Sequence, residues 1–356
     1  MSQLFTHTRT KRMIGIMGLF LAGGLALSAC TSAPIGTDEE NGETGEEATA
    51  TIGVSGMFLT DPFQVVMMDQ IAAAGVEAGV NMPPATNADG DSAKQITDIQ
   101  NLITQNVDGL IVAPLDRDAI IPAIEQANAA GIPVVTVDMG ANGGDVFMIV
   151  RADNYAMGKS ACEAMAEQLG GQGTILNLQG DLASTNGLDR SEGFTDCIEA
   201  DYPDIEVISR PTNWQAEEAV TAAQTVVSTT DIDGIFLASD SVMADGVRTV
   251  LENLGRWVPA GEDGHIVMAS IDGTPLSLEL VREGYLDAVI SQPVDMYSKF
   301  AVEYVLAALA GETFEPGPTD HGSEIVEIDG ILSDNLPSPV VTKENVDDGA
   351  LWGNNA

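Results

Sequence analysis

The sequence predicts an α/β protein of parallel sheets arranged in two lobes, and three observations carry that expectation. Short β-rich runs alternate with helical segments from residue 50 to about residue 310. Several of the short runs, such as Gly109–Ala113 (GLIVA), are apolar throughout, as strands buried on both faces of a parallel sheet are. The alternation then restarts near residue 153, which places two similar halves in series with a cleft between them.

The first half opens with the β-rich run Ala50–Gly56. Pro62–Gly79 is helical, with Phe63, Val66, Met67, Gln70, Ile71 and Ala74 on one side. Ser92–Gln105 repeats that pattern through Ile96, Ile99, Leu102 and Ile103, and the strand Gly109–Ala113 follows. Ala119–Ala130 is a helix closed by Gly131, and Ile132–Asp138 is the next strand. In the second half, helices are expected at Asn154–Leu169, Leu188–Ala200, Gln215–Ser228, Met243–Leu254 and Tyr297–Ala310. Strands are expected at Gly173–Gln179, Glu206–Ser209, Gly234–Ala238, His265–Asp272 and Leu286–Ser291. Ligands of such sheets sit beyond the carboxyl ends of strands or in clefts between domains, so the residues following the strands are the candidate site.

The first thirty residues bear on location. Arg9, Lys11 and Arg12 precede an apolar run from Met13 to Leu27, which ends in Leu27-Ser28-Ala29-Cys30. This is the pattern of a secretory signal peptide, too short for a membrane span, over residues 1–29. Its last four residues resemble a bacterial lipobox, which implies cleavage before Cys30 and a lipid on the Cys30 sulfur. Residues 30–49 carry Asp38, Glu39, Glu40, Glu43, Glu46 and Glu47 among small residues. Such a segment buries too little apolar surface to offset its chain entropy, and it is expected to be a disordered tether. The expected whole is a soluble body held at the membrane.

The chain carries 54 acidic against 14 basic residues, a formal charge of −40. Nucleic acid and anionic headgroups are repelled by such a surface. The scarcity of lysine and abundance of aspartate suggest a saline environment; an acidic surface without that meaning is the alternative. Of the three cysteines, Cys30 is assigned to the lipid. Cys162 and Cys197 then remain as a pair in an oxidising compartment, either bonded across two helices of one lobe or buried as thiols.

Motifs at the strand ends point further. Gly53-Val54-Ser55 and Asp61-Pro62-Phe63 open the first unit, and Asp108-Gly109-Leu110-Ile111-Val112-Ala113-Pro114 closes the third strand. Gly131-Ile132-Pro133-Val134-Val135 precedes Asp138, and Asp153-Asn154 precedes Gly158. Arg190-Ser191-Glu192-Gly193-Phe194 starts a helix, and Ile271-Asp272-Gly273-Thr274-Pro275 ends a strand. Together, over nearly all of residues 50–347, these resemble the ribose-binding type of periplasmic solute-binding protein, the receptor of a sugar ABC importer. The resemblance implies the type I fold: two Rossmann-like lobes joined by a three-strand hinge. Crossings would fall near Ala152-Asp153, Gln292-Pro293 and Thr319–Gly322. The N-terminal lobe would take 50–152 and 293–320, the C-terminal lobe 153–292 and 323–346, with 347–356 a tail.

The same resemblance assigns the ligand site. Phe63 and Trp214 match stacking positions, one from each lobe, suited to the C–H faces of a sugar. Asp138, Arg190, Asp272 and Gln292 match polar positions that accept from and donate to hydroxyls. Asp61 and Asp240 fall at positions often occupied by Asn, with Ser239 the alternative to Asp240. Each has a plainer reading as well. Phe63 could be a core staple, Trp214 a surface-turn cap, Asp138 and Asp272 helix N-caps, and Arg190 a surface partner of Glu192 or Asp189. Met139 stands where the ribose type often has Arg, Ala113 where Asn or Asp is common, and Gln64 replaces a second aromatic. The site has fewer donors than a pentose site, so a polyol, another aldose, a furanose signal or an amine-bearing ligand is open.

Enzymatic readings find no support. His265 and His321 lie in no motif, and HExxH, GxSxG, the Walker glycine loop and an opening GxGxxG are absent. Ala88-Asp89-Gly90-Asp91 lacks EF-hand spacing, so neither a metal nor a cofactor is expected. A repressor of the same fold would need a DNA-binding motif before residue 50, where the signal segment and tether lie. The expectation is therefore a monomeric receptor that captures a small sugar or polyol and hands it to an ABC permease with its ATPase. The alternatives are a sensor of the same fold, or a binder of a nucleoside or amino acid.

Overall fold

The computed structural model describes residues 49–355. The signal segment, Cys30 and the acidic tether up to Ala48 lie outside the described residues. The chain first runs through β1 (Ile52–Gly56), α1 (Pro62–Glu77), β2 (Thr86–Asn87), α2 (Ser92–Thr104), β3 (Gly109–Val112), α3 (Ile121–Ala129), β4 (Val134–Val137) and β5 (Val146–Ala152). It continues through α4 (Asn154–Leu169), β6 (Gly173–Gln179), α5 (Thr185–Asp201), β7 (Ile205–Pro211), α6 (Ala216–Thr229), β8 (Gly234–Leu237), α7 (Asp240–Leu254) and β9 (Val267–Asp272). Then come α8 (Pro275–Glu283), β10 (Ala288–Ser291), α9 (Val294–Ala310), β11 (Gly317–Pro318), β12 (Glu324–Ile328), β13 (Ile331–Leu336) and β14 (Val340–Val341). A 3-10 turn, Trp352–Asn354, ends the described chain.

Two sheets organise these elements. One has the strand order β11-β12-β13-β5-β4-β3-β1-β2, the other β14-β10-β9-β8-β6-β7. The pairings among β1 to β5, and those among β6 to β10, are all parallel. Every residue of β3, β4, β8 and β10 is buried, which is why these strands read as largely apolar runs without alternation. The local chemistry of the helix starts is plain. Asp61 caps α1 with Pro62 in its first turn, Asp91 caps α2, Asp153 caps α4 and Ser184 caps α5. Cys162 of α4 and Cys197 of α5 are joined by a disulfide, with Cα atoms 6.3 Å apart. Among the described residues, no helix is long and apolar enough to cross a membrane.

The chain leaves the first sheet after Ala152 and returns at Gln292-Pro293, since α9 packs on α1, β3, β4 and β5. The last crossing corrects the sequence expectation. Residues 324–336 form the hairpin β12–β13, which adds to β5 in the first sheet, so they do not belong to the C-terminal lobe. Its turn is Asp329-Gly330, both at positive φ (51° and 83°), the residue pair that a tight hairpin favours. The chain crosses only at Pro337-Ser338-Pro339, after which β14 pairs with β10. Residues 347–355 also differ from a free tail, because Leu351, Trp352 and Gly353 are buried.

Candidate ligand-binding site

Between the carboxyl ends of the two sheets lies a cleft of about 360 Å³. Met57, Phe58, Asp61, Phe63, Gln64, Asp138 and Met139 line it from the first lobe. Asn186, Arg190, Trp214, Ser239, Ser241, Val242 and Asp272 face them from the second, with Gln292 at the crossing.

The first-lobe wall is built at the start of α1 and the end of β4. Asp61 caps α1 by accepting from the Phe63 N–H at 3.1 Å. Phe63 is buried, with its ring edge-on to Tyr297 (6.2 Å) and Trp352 (5.8 Å); it is a core contact and a cleft wall together. Asp138, just past β4, has φ of 66°, an uncommon conformation for a non-glycine residue. Its two carboxylate oxygens accept from Gln64 Nε2 (2.9 Å) and from Asn186 Nδ2 across the cleft (2.8 Å). It caps no helix.

The second-lobe wall centres on Arg190, which is 3% exposed. Arg190 does not pair with Glu192 or Asp189 at the surface; Asp189 pairs with Arg151 instead. Its Nε donates to Asn154 Oδ1 (2.7 Å) and its Nη1 to the Ala238 carbonyl (2.7 Å), while Nη1 lies 3.6 Å from Asp272 Oδ1. Asp272 Oδ2 accepts from Ser239 Oγ (2.6 Å), Ser241 Oγ (2.9 Å) and Ser241 N (3.2 Å), and Oδ1 accepts from Gln292 Nε2 (2.6 Å). Trp214 sits in a left-handed turn at φ 54°, with its ring 5.7 Å from the Arg190 guanidinium and its Nε1 donating to Ser184 Oγ (3.2 Å). Gly180 makes room for that ring, since a Cβ there would lie 2.0 Å from it. Gln292 Oε1 accepts from Tyr297 OH, whose oxygen accepts from the Ala152 N–H, so the polar network runs into the first two of the three crossings.

Asp240 is a correction. It is the first residue of α7 and does not line the cleft. Its carboxylate is fully engaged with Ser270 Oγ, Gly273 N, Thr274 N and Thr274 Oγ1. Ser239 and Ser241 on either side face the ligand space. Burial, with the Asp272 charge adding, pushes the Asp240 carboxyl up to about 6. The same causes push Asp61 up to about 7, and burial raises Asp138. Asn186, Ser241 and Trp352 were missed from sequence. Asn186 stands one helical turn before Arg190 on α5, a spacing that could have exposed it. Nothing local to residue 352 announced its partner Phe63.

One atom in this wall has no partner. Gln64 is 2% exposed, and its Oε1 makes no hydrogen bond. The Asp138 carboxylate accepts, so the amide nitrogen of Gln64 faces it and the oxygen is left for a donor in the cleft. Among the described residues, no group of three or more His, Cys, Asp or Glu is placed to hold a metal ion.

Comparison with known proteins follows the same line. Residues 52–313 match the periplasmic binding protein domain. The ribose import binding protein of Bacillus subtilis (strain 168) is 29% identical over 78% of this chain and 87% of its own length. A xylitol-binding protein of Mycolicibacterium smegmatis is 28% identical over 94% of this chain and 86% of its own. An ABC transporter solute-binding protein of Bacillus halodurans C-125, solved with bound myo-inositol, superposes with a TM-score of 0.74 at 26% identity. That superposition covers 88% of this chain and all (100%) of that one.

Proposed function

The chain belongs to the periplasmic binding protein family, and we propose that it captures a small sugar or polyol in its cleft for delivery to an ABC import permease. It is an extracytoplasmic binding protein and not an enzyme. The observation that carries the ligand class is the surplus of acceptors. Asp61, Asp138 and the unpartnered Gln64 Oε1 face one guanidinium, Arg190, which Asp272 already pairs. Hydroxyl groups supply the donors such a wall lacks, and Phe63 and Trp214 offer apolar faces for the C–H bonds between them. The relatives named for ribose and xylitol and the neighbour holding myo-inositol support the same class. Closure of the two lobes about the crossings at 152–154, 292–293 and 337–339 would hold the ligand. Cys30 carries the lipid that tethers the protein to the membrane, and the receptor works as a monomer alongside a permease and its ATPase.

A thermal-shift panel tests this, using pentoses, hexoses, polyols, amino sugars, nucleosides and branched amino acids. A ligand at about a hundred times its dissociation constant adds roughly 2.7 kcal/mol of stability, a shift of a few degrees. Shifts only with nucleosides or amino acids would overturn the ligand class. For the anchor, Cys30→Ser should move the protein from the membrane fraction to the soluble one; unchanged fractionation would remove the lipid.

A further inference from the structure

We propose that Trp352 is a positioning residue of the ligand site and that segment 347–355 belongs to the binding machinery. Trp352 is 3% exposed and touches both walls of the cleft from behind. Its ring abuts Phe63 of the first lobe at 5.8 Å and 71°. Its Nε1 donates to the Asp272 carbonyl of the second lobe at 2.9 Å. That carbonyl also accepts the Gln292 N–H at 2.9 Å, so both its lone pairs are used and the peptide bearing Asp272 is held from two sides. The hold matters because Asp272 has φ of 129°, a conformation that persists only where the surroundings impose it. Gly353 follows because a Cβ there would lie 2.2 Å from the Gly273 carbonyl.

The segment is fastened independently of the cleft. Arg282 of α8 donates to Asp347 Oδ1 (2.8 Å), Asn354 Oδ1 (2.6 Å) and the Val346 carbonyl (3.2 Å). Asn354 donates in turn to the carbonyls of Val346 (2.9 Å) and Asp348 (2.8 Å). A rigid clip on the second lobe therefore presents one indole that sets the apolar wall of one lobe and a carboxylate of the other. Trp352→Phe keeps an aromatic ring against Phe63 while removing the N–H donor and part of the ring volume; Trp352→Ala removes the ring altogether.

This role rests on the ligand reading of the cleft, so the test has one arm that needs no ligand. Amide hydrogen exchange is followed in peptides covering 58–66 and 270–276, in the unmutated protein, Trp352→Phe, Trp352→Ala and Trp257→Ala. Trp257 stacks on Tyr285 at 4.5 Å, lines no part of the cleft and controls for general loosening. Trp352→Phe should speed exchange about tenfold at 270–276 alone, and Trp352→Ala at both segments, with Trp257→Ala sparing both. Equal exchange in all four proteins, or equal acceleration by Trp257→Ala, overturns the role. The second arm is titration with D-ribose and xylitol, where Trp352→Ala should lose about tenfold in affinity and Trp352→Phe less. Full affinity in Trp352→Ala overturns the role. Failure of both sugars on the unmutated protein counts against the ligand reading instead, and exchange then decides on Trp352.

Discussion

The two lobes contribute unlike halves to one cleft. In the second, Arg190 is held by Asn154, the Ala238 carbonyl and Asp272, and Asp272 is held by Ser239, Ser241 and Gln292. That wall is held in place by bonds within the protein. In the first, Asp61 has no cation beside it, Asp138 is satisfied by two amides, and Gln64 Oε1 has no partner. The second lobe is also cross-linked by Cys162–Cys197 between α4 and α5. Preorganisation is thus concentrated on one side, while the other side carries the unmet demand for donors. A receptor built this way offers a fixed template and a second wall that gains its bonds on closing.

The contrast can be broken most directly at Arg190. Arg190→Ala leaves Asp272 as a buried carboxylate without its cation, and loss of one partner of such a pair costs about 3–5 kcal/mol. Urea unfolding should show that loss, and no sugar in the panel should bind; a loss below about 1 kcal/mol would mean the wall is not held by this network. Replacing both Cys162 and Cys197 by Ala opens a loop of sequence separation 35. The expected cost is about 4 kcal/mol with the ligand affinity retained, because the bond lies in the body of the lobe. Unfolding that is unchanged under reducing conditions would contradict it.

Trp214→Ala sharpens the comparison from the second lobe's aromatic side. It should lower ligand affinity about tenfold, roughly 1.4 kcal/mol, with the unfolding midpoint nearly unchanged. Intact affinity by calorimetry would remove Trp214 from the site. The pH-dependent effect belongs to Asp61. Its carboxyl titrates at about 7 in the folded chain against an ordinary 3.8, so the folded state holds the proton more tightly between those values. Stability should therefore fall as pH rises from about 4 to about 7 and level off above. Asp61→Asn should remove its own share of that fall, leaving the parts due to Asp240, at about 6, and to Asp138, which burial also raises. An unchanged pH profile in Asp61→Asn would show that Asp61 is not held neutral by burial.

Legibility varied with how local each signal was. Asp138, Arg190, Asp272 and Gln292 all stand at or just beyond strand ends or one turn into a helix, and the structure brings them into one cleft. Asp240 was read as a ligand contact because it stands one residue from the right place. On a helix start one residue decides which way a side chain points, and Ser239 and Ser241 take the cleft instead. The hairpin β12–β13 carries a recognisable Asp329-Gly330 turn, yet the sheet it joins is chosen by β5, some 180 residues earlier in the chain. The strand β5 itself, VFMIVRA, was not anticipated.

By itself the sequence determined the α/β class, its parallel strands and most helix starts, because burial on both faces and N-cap chemistry are written into short stretches of chain. It also set the acidic balance of −40, since that is a count. Only the tertiary structure decided that Trp352 stands behind Phe63 and Asp272, that Gln64 is left with a free acceptor, and that the last crossing lies at Pro337–Pro339. Those facts depend on contacts between residues tens to hundreds of positions apart. Such contacts form where packed surfaces fit, and no local pattern records the fit.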